Sequence, residues 1–168
     1  MPSVWRITTA RFTASAFTGE GARRYGGRWN PQGWEVVYTA QSPALALLEL
    51  LVQDDPLRAN YVLLPAVVPD DVACTVLSPA DLPADWRTLD QRPALQIMGQ
   101  QWLQQGRSAV LQVPSAVLPA ECNFLLNPRH PDFARIAVGS AQSLAMDTRL
   151  LRNLMDGAPA LRKPYDDH

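Results

Sequence analysis

Fifteen prolines, spread from Pro2 to Pro164, cut this chain into short stretches. Each removes a backbone donor and fixes φ, so long uninterrupted helices have little room. In 168 residues this is nearly twice the usual share of about 5%. An all-helical bundle is therefore disfavoured, and short strands and helices joined by proline turns are expected. The length suits one domain that buries roughly 70% of its unfolded surface, with no need of a disulfide or metal. We expect a single domain over residues 1–168, with a core over about 5–151 and a tail over about 157–168.

The pattern between the prolines is mixed. Val4 to Ile7 alternates and reads as a strand. Residues 18–34 (TGEGARRYGGRWNPQGW) read as a structured loop rich in Gly, Arg and aromatics. Glu35 to Ala40 reads as a strand. Ser42 is a candidate N-cap and Pro43 suits the first helical position. Ala44 to Val52 then reads as a helix apolar on all sides, hence buried, with Asp54-Asp55-Pro56 as its stop. Asn60 to Val68 reads as a strand that bulges or lies at an edge at Pro65. Val72 to Leu77 suggests another strand, and 81–90 a loop. Leu95, Met98, Trp102 and Gln105 mark a helix over 93–105 that Gly106 terminates. Ser108 to Val113 reads as a strand, 114–132 as a loop, Phe133 to Val138 and Met146 to Leu151 as late strands. No regular βαβ alternation appears, so the fold class is α+β.

Charge narrows function. The net charge is −1 and the pI about 6.1, which lacks the footprint of a general nucleic-acid binder. Cys74 and Cys122 have no metal-ligand spacing, and with two histidines no zinc site is expected. No stretch approaches a membrane span and no apolar leader opens the chain, so a cytoplasmic protein is expected.

Several residues are candidates for chemistry. Glu49 is one of four glutamates and interrupts an apolar helix. It either reaches solvent or an arginine, or is a carboxylate held in a cleft. Gly26-Gly27-Arg28-Trp29-Asn30 permits close backbone approach and supplies a guanidinium suited to phosphate or carboxylate; a turn with a surface arginine is equally open. The segment is neither a dinucleotide-binding nor a phosphate-loop motif. Tyr38 shares a face with Val36 and is a core tyrosine or a stacking platform. Ser115 follows a strand and a proline but lacks the hydrolase elbow. His130 reads as a turn cap rather than a general base.

Taken together, GGRWNPQGWEVVYTA, SPALALLELL and LQVPSAVLPAECNFLLNPRHPDF resemble, in that order, the RES-domain family, from about Trp5 to about Leu151. Its members are toxins of bacterial RES–Xre toxin–antitoxin systems. The resemblance implies a small α+β core with a mixed, split sheet, similar to the ADP-ribosyltransferase fold, and a cleft that takes NAD as substrate without a metal. It places the family's arginine, glutamate and serine on Arg28, Glu49 and Ser115, with Tyr38 as a fourth catalytic residue. Arg28, Tyr38, Ser115 and Asn123 form the implied substrate-binding set. Arg28 would grip phosphate, Tyr38 would stack on nicotinamide, Glu49 would face the ribose, and Ser115 would position it by hydrogen bonding. Water, phosphate or a protein side chain could be the acceptor, and Arg23 or Arg24 could help hold phosphate. A non-catalytic binding module is the reading of another class. An Xre-family antitoxin covering the cleft is the implied partner, with DNA reached only through it, no membrane, and a homo-oligomer within the complex.

Overall fold

The computed structural model describes residues 2–53 and 59–151. In chain order the elements are β1 (Ser3–Thr9), α1 (Glu20–Tyr25), β2 (Val37–Ala40), α2 (Pro43–Gln53), β3 (Tyr61–Val67), β4 (Cys74–Val76), α3 (Arg92–Gln105), β5 (Val110–Pro114), β6 (Cys122–Leu126), β7 (Ala137–Val138) and β8 (Gln142–Leu144). The strands form one mixed sheet in the order β4-β5-β6-β2-β1-β3-β7, with β8 also on β3. Only β4 and β5 run parallel. This is the expected α+β architecture.

A seam runs through the middle of the sheet. β1 pairs with β3 over seven residues, from Ser3 opposite Val67 to Thr9 opposite Tyr61. It meets β2 through one pair, Trp5 opposite Ala40. That pair keeps the sheet continuous, so in place of the split sheet expected there is a single curled one.

Alternation gives the sheet two apolar faces. Val4, Val37, Ala66, Val110 and Leu126 gather on one, with Phe17, Phe133 and Ile136 against them. These residues come from strands up to four places apart, and the sheet curls around them. The opposite face carries the helices. Trp5, Ile7 and Ala40 meet Leu45 and Ala46 of α2. Leu111, Val113, Leu125 and Tyr38 meet Leu95, Met98 and Trp102 of α3, together with Trp29. α3 ends as expected, with Gly106 at φ 58° and its N–H bonded to the Trp102 carbonyl.

Several expectations are corrected. The loop over 18–34 contains α1, whose six residues are too few to show a helical period; Glu20 pairs with Arg23 and Arg24 along it. The strand expected from Glu35 starts at Val37, and the one expected over Val72–Leu77 covers Cys74–Val76. α2 is not buried all round: Leu45 and Ala46 are covered, while Leu48 and Val52 are exposed, because the sheet lies on one side only. Pro65 makes no bulge; its register with Trp5 is intact, and its carbonyl faces Gly139 in the gap between β7 and β8, where the missing donor costs no ladder bond. The expected loop over 114–132 contains β6, an interior strand short enough to hide between Pro119 and Pro128. The strand expected over Phe133–Val138 is largely a 3-10 turn (Pro131–Arg135), leaving only β7. The strand expected over Met146–Leu151 is instead a turn over Thr148–Leu151, with β8 lying just before it. The helix stop at Asp54-Asp55-Pro56 and the tail after Gly157 lie outside the described residues.

Candidate active site

Three of the expected residues meet directly. α2 starts at Ser42, whose Oγ accepts from the Leu45 N–H (3.1 Å) and donates to Glu121 Oε2 (2.9 Å), tying the helix to the start of β6. Two turns further along, Glu49 leans over the ends of β5 and β6. Ser115 Oγ donates to Glu49 Oε1 at 2.8 Å, and Asn123 Nδ2 donates to the same oxygen at 2.7 Å. Among the described residues nothing bonds Glu49 Oε2. The interruption of the apolar helix is therefore a carboxylate fixed through one oxygen and available at the other.

Ser115 is fully buried. Its Oγ also accepts from the N–H groups of Val117 (3.2 Å) and Leu118 (3.1 Å). One donor and two acceptor positions exhaust a hydroxyl. Among the described residues its proton goes to no acceptor other than Glu49. Asn123 differs, since its Oδ1 is buried with no partner among the described residues. Turning that amide over would set its oxygen against the Glu49 carboxylate, so the assignment is physically determined.

Arg28 and Tyr38 belong to a second, linked group. Arg28 rides on the turn between α1 and β2, closed by the Gly27 N–H to the Asn30 carbonyl (2.9 Å). Buried Asn30 donates to the carbonyls of Ala22, Pro31 and Trp34, and its Oδ1 accepts from Tyr38 Oη. Tyr38 Oη in turn accepts from the Trp29 N–H at 3.1 Å. From α3, Gln96 Nε2 reaches the carbonyls of Gly27 (2.8 Å) and Asn30 (3.2 Å). Close packing enforces the glycines: a Cβ on Gly27 would strike Tyr38 Oη, and one on Gly99 the Trp29 carbonyl. Burial pushes the Tyr38 phenol above its ordinary pKa, against the smaller opposing pull of the Trp29 N–H and of Arg92 and Arg28. The phenol thus stays protonated and donates to Asn30.

The two groups are joined by a chain of hydrogen bonds through Arg87. Arg28 Nη1 donates to the Arg87 carbonyl (3.3 Å), and Arg87 Nε donates to the carbonyl of Ala116, next to Ser115 (2.8 Å). Arg23 and Arg24 are instead engaged by Glu20, at 2.6 and 3.0 Å, and their guanidinia hold its carboxyl down to about 2. His130 caps a turn as expected, its Nδ1 accepting from the Asp132 N–H.

Arg6 was not singled out by the sequence, although a charge inside Val4-Trp5-Arg6-Ile7 is the signal that could have found it. It sits at the seam, where its Nη1 donates to the Tyr38 carbonyl (3.0 Å). That bond adds to the single register pair that joins β1 and β2. Its Nε is buried without a partner among the described residues, and desolvation draws its pKa down. An incompletely satisfied buried guanidinium favours an anion.

Comparisons with known proteins bear on the family and the fold. The family model described as the RES domain matches residues 3–147. The chain is similar to "Toxin Res" of Yersinia enterocolitica, 41% identical over 152 residues, covering 88% of this chain and 98% of that protein. It is equally similar, at 41% over 159 residues, to the "Prs ADP-ribosylating toxin" of a Sphingobium strain, covering 89% of this chain and 97% of that one. Among solved structures, the M. tuberculosis MbcT–MbcA toxin–antitoxin complex shares the fold at a TM-score of 0.72, with 24% identity over 85% of this chain and 84% of the other. Among the described residues no His, Cys, Asp and Glu side chains group as a metal site, and no helix is long and apolar enough to cross a membrane.

Proposed function

The chain belongs to the RES-domain family, and from that premise we propose that it is a toxin that cleaves the nicotinamide–ribose bond of NAD. The observation that carries this reading is Glu49, pinned through Oε1 by Ser115 and Asn123 with Oε2 left unbonded among the described residues. Cleavage passes through an oxocarbenium-like state, as in glycoside hydrolysis. A carboxylate held in place beside the ribose stabilises that charge without reorganising. The bonding pair leaves with the ring nitrogen, so the pyridinium departs as neutral nicotinamide and needs no general acid. The ribosyl carbon then takes an oxygen from water or phosphate, which loses its proton, and ADP-ribose or its phosphate ester is released.

The other residues serve this step. Arg28 grips a phosphate of the substrate. Tyr38 presents its ring to the nicotinamide side while its hydroxyl fixes the turn that carries Arg28. Ser115, with its hydroxyl saturated, acts through Glu49 rather than as a nucleophile. The unsatisfied Oδ1 of Asn123 is an acceptor that a donor on the substrate would satisfy. No metal takes part in this scheme.

A second reading has its own support. Similarity at 41% identity to a relative named as a Prs ADP-ribosylating toxin favours transfer of ADP-ribose to a protein. The first half-reaction is the same, and only the acceptor differs. The likeness to a toxin solved with its antitoxin supports an antitoxin partner; the resemblance implies one of the Xre family that covers the site in the cytoplasm.

Expression in cells tests the assignment. The wild-type chain should arrest growth and lower the NAD pool, while Glu49→Ala and Arg28→Ala, folded and still bound by the antitoxin, should do neither. Growth arrest by both variants would remove Glu49 and Arg28 from the site.

A further inference from the structure

Arg87 lies between the two residue groups of the site and belongs to neither motif that marks them. Its backbone is held in place, because the neighbouring Trp86 is buried in the core under α3. Its carbonyl accepts from Arg28, and its Nε is spent on the Ala116 carbonyl at 2.8 Å. That leaves the terminal nitrogens of an exposed guanidinium beside the Ser115 turn, and among the described residues Arg87 pairs with no carboxylate. Five other described arginines pair with carboxylates: Arg23 and Arg24 with Glu20, Arg129 with Glu35, Arg135 with Asp71 and Arg149 with Asp147.

We infer that Arg87 is a substrate-binding residue, which with Arg28 forms a subsite for a phosphate group beside the Ser115 turn. This rests on the NAD reading above and replaces Arg23 and Arg24 as the source of the second cation. The geometry suits the role. The Nε bond to Ala116 fixes the plane of the fork, so the remaining N–H groups are presented without first losing side-chain freedom. The phosphate has two possible sources, the diphosphate of NAD and inorganic phosphate as acceptor.

Steady-state kinetics on the full chain separate these sources and test the inference. Wild type, Arg87→Ala, Arg87→Lys and, as a remote control, Arg129→Ala are compared with NAD varied at fixed phosphate and phosphate varied at fixed NAD. Calorimetric titration of ADP-ribose reads binding without turnover. Loss of a charge-assisted contact should raise one KM about tenfold in Arg87→Ala, with kcat within about twofold. Arg87→Lys should recover part of the loss, and Arg129→Ala should match wild type. A rise in the NAD KM, with weaker ADP-ribose binding, assigns the subsite to the diphosphate; a rise in the phosphate KM alone assigns it to the acceptor. Unchanged KM values overturn the inference, as does a fall in kcat alone that Arg87→Lys does not restore, since that marks Arg87 as a strut for the Ser115 turn. Wild-type protein that neither consumes NAD nor binds ADP-ribose removes the NAD reading and this inference with it. Turnover by wild type with an unaltered Arg87→Ala removes only the inference.

Discussion

At the scale of single residues, the site depends on side chains that hold other side chains. Ser115→Ala removes the donor to Glu49 and strands the Val117 and Leu118 N–H groups. We expect kcat to fall about tenfold or more and stability to fall by about 1–3 kcal/mol, read by urea unfolding. Tyr38→Phe keeps the ring and deletes the hydroxyl that links Trp29 and Asn30. If the hydroxyl anchors the Arg28 turn, this variant is destabilised and binds NAD more weakly; a residue that only stacks would tolerate the change. The same phenol sets an alkaline limit. Its folded pKa is raised by burial, so folding favours the protonated form. That contribution is complete below the unfolded value of about 10 and is lost as pH rises above it. The extra alkaline loss should be absent in Tyr38→Phe.

Among the elements, α3 and α2 do different work. α3 seats the turn of Arg28 through Gln96 and through the bare backbone of Gly99 against Trp29. Gly99→Ala forces the turn off the helix, and we expect about 1–3 kcal/mol of lost stability together with a raised NAD KM. α2 buries one side only. Leu45→Ala should cost about 2–5 kcal/mol, whereas Leu48→Ser, on the exposed side, should stay within about 0.5 kcal/mol. This contrast also explains what the sequence made legible. The α2 start was readable because Ser42 and Pro43 are local signals, and the α3 end because Gly106 is one. The one-sided burial of α2 was not, since apolar residues all round do not say which side the sheet will take. β6 was hidden because five residues between prolines carry no resolvable period. The pairing of Glu49 with Ser115 and Asn123 spans 66 and 74 residues, a separation that only the sheet register closes. Family resemblance marked Arg28, Glu49 and Ser115, but nothing local marked Arg87 or Gln96, whose roles come from what the fold sets beside them.

Across the whole molecule, the site is built in two parts. One group of residues, on α2 and the ends of β5 and β6, holds the carboxylate; another, on the turn between α1 and β2, holds the arginine. Arg87 spans the gap between them. A two-part site of this kind fits a substrate with an anionic part and a cleavable sugar bond set apart along its length. The surface carboxylates contribute modestly to stability. Glu20, held down to about 2 by Arg23 and Arg24, and Asp71, lowered by Arg135, favour folding above their ordinary pKa range and lose that contribution as pH falls through it. Both pairs are exposed, so added salt should flatten this acid limb of the stability profile.

The most direct test of the central claim is mass-resolved turnover of NAD by the purified chain and by Glu49→Gln, in water, in phosphate, and with cell protein present. The account predicts that wild type releases nicotinamide in at least one condition, with free ADP-ribose, its phosphate ester or an ADP-ribosylated protein as the matching product. Folded Glu49→Gln should be slower by about a hundredfold or more. Intact NAD in all three conditions with folded wild type, or equal turnover by the two proteins, would contradict it.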